Sequence, residues 1–297
     1  KVVAIDTQWF GNYLTRHKNL KNIKKNILDI NEKDLDGVDI IIHLASIAND
    51  LMGDLVQNLT WEYSCIATMK LIELSIKKKV SKFIFASSAS VYGVKKDRKV
   101  TENLSLEPIS IYNKAKMITE RTILSYADKI NITIIRPATV CGISPRMRFD
   151  LTINQFTKSI FRNEELEVFD SNTWRPYCHV KDFAIAIEKV LEANKKTTDF
   201  QIFNIGGDDN NFTKKQIVEQ IFKFIPGNKV IFTDKKKDPR NYKVNFSKIN
   251  KILNFKIKYT VHDGIKEMIN FFKKNEKTLN MFNHLKFGNN AIDAEKL

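Results

Sequence analysis

The sequence predicts an α/β protein: a doubly wound parallel sheet with a smaller C-terminal lobe. Three observations carry this. Apolar, β-branched and aromatic runs at 38–45, 83–86 and 132–136 each stop at small or turn-forming residues, the pattern of strands covered on both faces. Helical segments at 54–79 and from Ile111 to about Lys129 separate those runs, and such alternation gives a parallel sheet flanked by helices on both sides. From Gly142 onward the alternation loosens, which marks the second lobe.

The elements follow in order. Lys1 to Asp6 reads as a strand ending in a carboxylate, followed by a polar loop containing Gly11. Asn26 to Ile30 reads as a short strand, and Val38 to Ala45 as a strongly apolar one ending at Ser46. Leu55, Leu59, Ile66, Met69, Ile72 and Ile76 recur at helical spacing, so 54–79 is expected to be one long helix. The run Phe83 to Ala86 delivers Ser87, Ser88 and Ser90 at the carboxyl edge of the sheet, where ligands of such sheets bind. Ser110 caps the next helix, with Pro108 just outside it. Ile132 to Arg136 is a further buried strand, ended by Pro137.

Beyond it come a basic loop at 144–150, an amphipathic helix at 151–161, and a short strand at 166–169. Trp174 to Tyr177 leads into a helix from Lys181 to about Asn194, and the strand 200–205 stops at Gly206-Gly207. Helices at 214–224, 246–253 and 263–274, with a strand at 229–233, complete the lobe; residues after about Glu276 read as a loosely held tail.

With 297 residues, the chain suffices for one large α/β domain or two lobes. Its formal charge of +15 comes mostly from lysines in scattered runs such as 77–79 and 235–237. That favours anionic small ligands; a nucleic-acid role would need a basic stripe with interleaved aromatics, which is not found. Cys65, Cys141 and Cys178 lack metal-ligand spacing, and an odd thiol fits a reducing cytoplasm. His43 and His179 read as hydrogen-bonded core histidines, so no metal site is expected. Apolar stretches such as 40–45 are too short to span a bilayer.

Chemistry is concentrated in the serines after Phe83–Ala86 and in Tyr112 and Lys116, which are four apart and share one helical face. An ammonium within a few ångströms lowers a phenol's pKa from about 10 by about 1 to 3 units, making it a base able to take a proton from a substrate hydroxyl while a serine holds the same oxygen. Loss of that proton drives a hydride off the carbon. Tyr92 with Lys96 and Tyr177 with Lys181 repeat the spacing, but only Tyr112 sits in a helix after a serine-bearing strand end. Asp6, at a strand end, suits the adenosine ribose hydroxyls and repels a 2′-phosphate, which favours NAD over NADP. None of the 10 glycines forms the glycine-rich turn that opens a dinucleotide fold. The first strand therefore reads as the second of such a fold, with a βα unit of roughly 25 to 30 residues lacking.

Together these residues resemble the extended short-chain dehydrogenase/reductases, in particular the NAD-dependent nucleotide-sugar epimerase/dehydratase family, nearly end to end apart from that unit. The resemblance implies a Rossmann-like NAD-binding domain at 1–142 and 178–206, a nucleotide-sugar-binding lobe at 143–177 and 207–276, and a tail at 277–297. It implies Ser88, Tyr112 and Lys116 as catalytic residues, and Asp6, Asp29 and Ile30 at the adenosine half of NAD. Leu44, Ala45, Ser46 and Pro137 would line the pyrophosphate and nicotinamide, with Tyr112 and Lys116 also on the cofactor; Ser88, Asn154, Arg175 and Arg240 would meet the nucleoside-diphosphate sugar. Arginines suit diphosphate oxygens because their planar fork binds two at once.

The chain departs from the family at Ser64, where asparagine is usual, Ile111, where proline is frequent, and Cys141, where tyrosine is usual. Ala89 and Ser90 stand where dehydratases and decarboxylases carry acids, and the cysteine of carbon-3 and carbon-5 epimerases is absent. What remains is oxidation or reduction at carbon 4, with or without return of the hydride to the opposite face; the first expectation is a 4-epimerase of a nucleoside-diphosphate hexose. The alternatives are a carbon-4 dehydrogenase or 4-keto reductase, and a non-catalytic binding protein on the same scaffold. The resemblance also implies a cytoplasmic homodimer joined through the helices near 54–79 and 109–128.

Overall fold

The structure, a computed structural model, describes residues 1–95, 99–226, 229–234, 239–275 and 288–289. Lys96, the lysine run 235–237 and nearly all of the tail at 277–297 lie outside these residues. The strands are β1 (Val2–Asp6), β2 (Leu20–Lys24), β3 (Ile40–His43), β4 (Lys82–Ala86), β5 (Lys99–Val100), β6 (Asn131–Pro137) and β7 (Thr139–Cys141). They continue with β8 (Leu166–Phe169), β9 (Trp174–His179), β10 (Gln201–Ile205), β11 (Asn211–Thr213), β12 (Val230–Thr233) and β13 (Lys243–Val244). The helices are α1 (Asp50–Leu55), α2 (Gln57–Trp61), α3 (Ala67–Lys77), α4 (Ile111–Leu124) and α5 (Thr152–Phe161). After these come α6 (Val180–Glu192), α7 (Lys195–Thr198), α8 (Lys214–Phe222), α9 (Ser247–Leu253) and α10 (Val261–Lys274).

A four-stranded parallel sheet in the order β10-β6-β4-β3 forms the centre. Its strands alternate between two apolar faces, as period-2 geometry requires. Phe83, Phe85, Ile132 and Ile134 join Leu71 and Ile72 of α3 and Ile123 of α4 on one face. On the other, Ile84, Ile135, Phe203 and Ile205 meet Ala186 and Val190 of α6 and Ile249 and Leu253 of α9. Helices thus cover both sides, and the doubly wound α/β expectation holds. A third core, built from α5, α8, α10 and strands β7 to β9, fills the C-terminal part.

Several elements differ from expectation. β1 pairs only with β2, in parallel, and no backbone ladder joins this pair to β3 among the described residues. The strand expected at 26–30 is instead a 3-10 turn, Ile27–Asp29, capped by Asn26; the strand is Leu20–Lys24, whose sequence LKNIK alternates too weakly to be read. The expected long helix at 54–79 is broken at Val56 (φ −122°, ψ 61°) and again by a π-helical turn at Glu62–Ile66. Trp174–His179, which leads into α6 as expected, is itself a strand between β7 and β11.

Two glycines are fixed by close approach. A Cβ on Gly53 of α1 would come within 2.8 Å of the Tyr112 Cβ, so only glycine lets α1 lie against the first turn of α4. Gly93 (φ +65°) turns the chain so tightly after β4 that a Cβ would sit 1.5 Å from the Glu107 carbonyl oxygen.

Candidate active site

The fully buried run Lys82–Ala86 ends at the carboxyl edge, where Ser87 and Ser88 follow. Ser88 is extended (φ −159°, ψ 145°), and its Oγ caps the 3-10 turn Ala89–Tyr92 by accepting the Ser90 N–H at 3.2 Å. The same Oγ lies 2.8 Å from the Ser90 hydroxyl, which donates a short bond to Asn113 Oδ1. Ser110 caps α4 through the Asn113 N–H at 3.2 Å, as its position predicted. This brings Tyr112, in the first turn of α4, beside the serine, whose hydroxyl acts to lower the phenol's pKa. One turn on, the buried Lys116 donates from Nζ to the carbonyl of Ala86 at 2.8 Å, tying helix to strand end. The three residues named from the sequence therefore meet.

The electrostatics differ from expectation. Lys116 Nζ lies 6.0 Å from the Tyr112 ring centroid, yet the phenol is pushed up to about 12, first by loss of hydration and then by the Asp50 carboxylate, against lowering by Ser88 and Arg148. The phenol of this chain is thus protonated at neutral pH. Burial pulls the Lys116 ammonium down to about 8, opposed by Glu120.

A stability prediction follows. The folded-state pKa lies below the ordinary 10.5, so between these values the unfolded chain holds the extra proton and stability rises with pH. The burial penalty is present in full below about pH 8 and gone above 10.5. The stability of Lys116→Met relative to the parent should therefore be about 3 kcal/mol more favourable at pH 7 than at pH 10.5. Urea midpoints at the two pH values test this; a difference between variant and parent that does not change with pH would refute it.

The two competing tyrosines are core residues. Tyr92, fully buried, donates to Asn204 Oδ1 at 2.7 Å and accepts from Arg136 Nη1 at 3.0 Å. Tyr177 is fully buried in the C-terminal core, and burial raises its pKa. His43 Nε2 bonds Thr68 Oγ1 at 2.8 Å and burial drives it down to about 3. His179 caps α6 and pairs with Glu267 at 3.0 Å. Among the described residues no group of three or more His, Cys, Asp and Glu side chains could hold a metal.

The residues expected at the cofactor stand at or just after strand ends. Asp6 ends β1, Asp29 and Ile30 follow β2, Leu44 to Ser46 follow β3, and Pro137 ends β6. Asp6 and Asp29 are exposed, as are Leu44 and Ala45, whereas Ile30 is buried in the core beneath. Ser87 Oγ is buried there without a hydrogen-bond partner among the described residues, a donor and acceptor left for a ligand group.

Beside Tyr112 lies a cavity of about 590 Å³, lined by Asp50, Ser110, Asn113, Lys214 and Arg240 among others. Arg240 Nη1 donates to Asp50 Oδ2 at 2.8 Å, and Arg175 Nη1 donates to the Arg240 carbonyl, so these two arginines are neighbours. Asn154 is differently engaged: Oδ1 accepts from the Gly142 N–H and Nδ2 donates to the Arg148 carbonyl, both at 3.1 Å. It holds the loop of Arg148, which is itself closed on Asp150 by bonds of 3.1 and 2.6 Å. Sequence reading missed Asp50. The signal available was Asn49-Asp50 ahead of an apolar run, a helix start; Asn49 indeed caps α1 through the Met52 N–H at 2.7 Å.

The chain is similar to known proteins over most of its length. The model of the NAD dependent epimerase/dehydratase family matches residues 1–206. An uncharacterized UDP-glucose epimerase of Bacillus subtilis is 31% identical over 266 residues, covering 84% of this chain and 82% of that protein. A UDP-glucuronate 4-epimerase of Thermodesulfobacterium geofontis is 27% identical, covering 80% and 73%. The crystal structure of UDP-glucose 4-epimerase from Thermotoga maritima with UDP-glucose superposes with a TM-score of 0.82 at 25% identity, covering 92% of this chain and 91% of that one. With the family matched over more than two thirds of its length, this chain belongs to the NAD dependent epimerase/dehydratase family.

Proposed function

We propose that the protein is an NAD-dependent 4-epimerase of a nucleoside-diphosphate hexose. The meeting of the Ser88 and Tyr112 hydroxyls beside the buried Lys116 supports this reading above all else. Ser88 bridges the 4-oxygen of the sugar, and Tyr112 takes the proton from that oxygen and returns it. Lys116, fixed by the Ala86 carbonyl, holds positive charge at neutral pH beside the phenol. When bound, NAD supplies the hydride acceptor for carbon 4 and a cationic ring that favours the phenolate.

Asp6, Asp29 and Ile30 would hold the adenosine half, and Leu44, Ala45, Ser46 and Pro137 the remainder; the unpartnered Ser87 hydroxyl at the same edge fits this donor set. Arg240 and Arg175 would grip the diphosphate, with Asn154 fixing the Arg148 loop beside it. The proposed division of labour assigns cofactor to 1–142 and 178–206 and sugar nucleotide to 143–177 and 207–276. The separate core around α5, α8 and α10 supports it, although Tyr242 to Phe255 pack beneath the central sheet.

The protein incubated with NAD and UDP-glucose should form UDP-galactose without lasting NADH absorbance. NADH accumulating with a keto sugar would instead establish a dehydrogenase. Binding of NAD and sugar nucleotide without turnover would establish a non-catalytic role.

A homodimer is also proposed, supported by exposed Leu55, Ile66 and Met69 on the segment from α1 to α3 and Ile118 on α4. A monomeric sedimentation coefficient at micromolar concentration would rule it out. No helix among the described residues is long and apolar enough to cross a membrane. Three buried free cysteines suit the proposed cytoplasmic setting, which recovery of the protein with membranes on cell fractionation would contradict.

A further inference from the structure

The cavity beside the first turn of α4 holds a carboxylate that the reaction does not require. Asp50 opens α1, and its side chain is 38% exposed toward the cavity. Oδ1 accepts from Ser110 Oγ at 2.6 Å and from Asn113 Nδ2 at 3.0 Å, and Oδ2 accepts from Arg240 Nη1 at 2.8 Å. Asn113 in turn takes the Ser90 hydroxyl, which meets Ser88 at 2.8 Å. Two side chains therefore link the carboxylate to the reactive serine, and its charge reaches the phenol, whose pKa it helps to raise.

Arg148 is closed on Asp150, and Lys214 donates to the Phe169 carbonyl at 2.8 Å. Arg240, which Asp50 holds in the free protein, is the group assigned above to the diphosphate, so substrate binding would leave the Asp50 charge open to the sugar. Lys114, on the rim, is exposed. In a hexose whose 4-oxygen lies between Ser88 and Tyr112, carbon 6 is two bonds from carbon 4, so its substituent enters the same neighbourhood. A carboxylate there would meet the negative charge of Asp50; a hydroxymethyl group would meet only hydrogen-bonding partners.

We propose, resting on the 4-epimerase reading, that Asp50 is a specificity-determining residue that admits nucleoside-diphosphate hexoses lacking a carboxylate at carbon 6 and rejects uronates. Two like charges about 6 Å apart at an interior of intermediate dielectric disfavour binding by roughly tenfold to hundredfold. The competing class is real, because both UDP-glucose and UDP-glucuronate epimerases are relatives of this chain.

The test compares UDP-glucose with UDP-glucuronate on the NAD-loaded protein, in the parent and in Asp50→Asn. The parent should prefer UDP-glucose in kcat/KM by at least about tenfold, and Asp50→Asn should shift the ratio about tenfold or more toward the uronate. Damage to folding or to Arg240 changes both substrates alike and leaves the ratio untouched, so an unchanged ratio, or a parent that uses both equally, overturns the proposal. Calorimetric Kd values for the two nucleotides on the Tyr112→Phe background separate this inference from the reaction itself. A preference for UDP-glucose in these Kd values that Asp50→Asn removes, together with no turnover by the parent, keeps Asp50 as the selector and sinks the epimerase reading. Equal affinity for both nucleotides, or no affinity for either, overturns the selector.

Discussion

Replacing Tyr112 by phenylalanine should lower kcat for sugar interconversion by about 10³-fold, within the 10²- to 10⁴-fold range of general acid–base catalysis, with the Kd of UDP-glucose changed less than about threefold. The phenol stands beside Ser88 on the face shared with Lys116, and phenylalanine keeps the Cβ and backbone that lie against Gly53 of α1. Only the exchangeable proton is lost. A variant retaining more than about a tenth of parental kcat would remove Tyr112 from the chemistry. The phenol's pKa of about 12 in this chain sharpens the point. Tyr112 becomes a base near neutral pH only when positive charge joins it, so cofactor and substrate have to act at one place.

The second large effect concerns the support of that helix. Glu120→Ala should destabilise the fold by about 3–5 kcal/mol, the usual consequence of orphaning one member of a buried ion pair. Glu120, one turn after Lys116, and Arg136 of β6 are 2% and 3% exposed and pair in parallel: Nε to Oε1 at 2.9 Å and Nη2 to Oε2 at 2.6 Å. Burial opposes the guanidinium charge, but the bonds to Glu120 hold Arg136 above its usual range. Its Nη1 continues to Tyr92, whose hydroxyl donates to Asn204 of β10. The pair thus joins α4 to β6 and, through Tyr92, to β10. Guanidinium-chloride melts measure the loss, and a double variant, Glu120→Leu with Arg136→Met, should recover most of it because no charge is left buried alone. A single-variant loss below about 1 kcal/mol would show that water reaches the site.

What could be read in the sequence divides along physical lines. β4 and β6 are legible because both faces are buried, so their residues form unbroken apolar runs. β2 is not, since it pairs on one side only and its sequence LKNIK carries no strong period. β9 was disguised by Pro176, a residue that ordinarily argues against a strand between two neighbours. The breaks in the helix at 54–79 leave no mark on its apolar spacing, which runs through Val56 and the π-helical turn alike. Ser88, Tyr112 and Lys116 were visible because strand end and helix face are local features. Asp50 and the Glu120–Arg136 pair were not, because their meaning depends on partners such as Arg240 that only the fold supplies. The expected lowering of the phenol by Lys116 failed for the same reason: spacing gives proximity, but not how much water the hydroxyl loses.

The central claim is that Ser88 and Tyr112 govern reversible oxidation at carbon 4 within one closed site. UDP-glucose carrying deuterium at carbon 4, turned over by the NAD-loaded protein, tests it most directly. The account predicts UDP-galactose with the deuterium still at carbon 4; product with solvent hydrogen at that carbon, or label lost to a released cofactor, would contradict it.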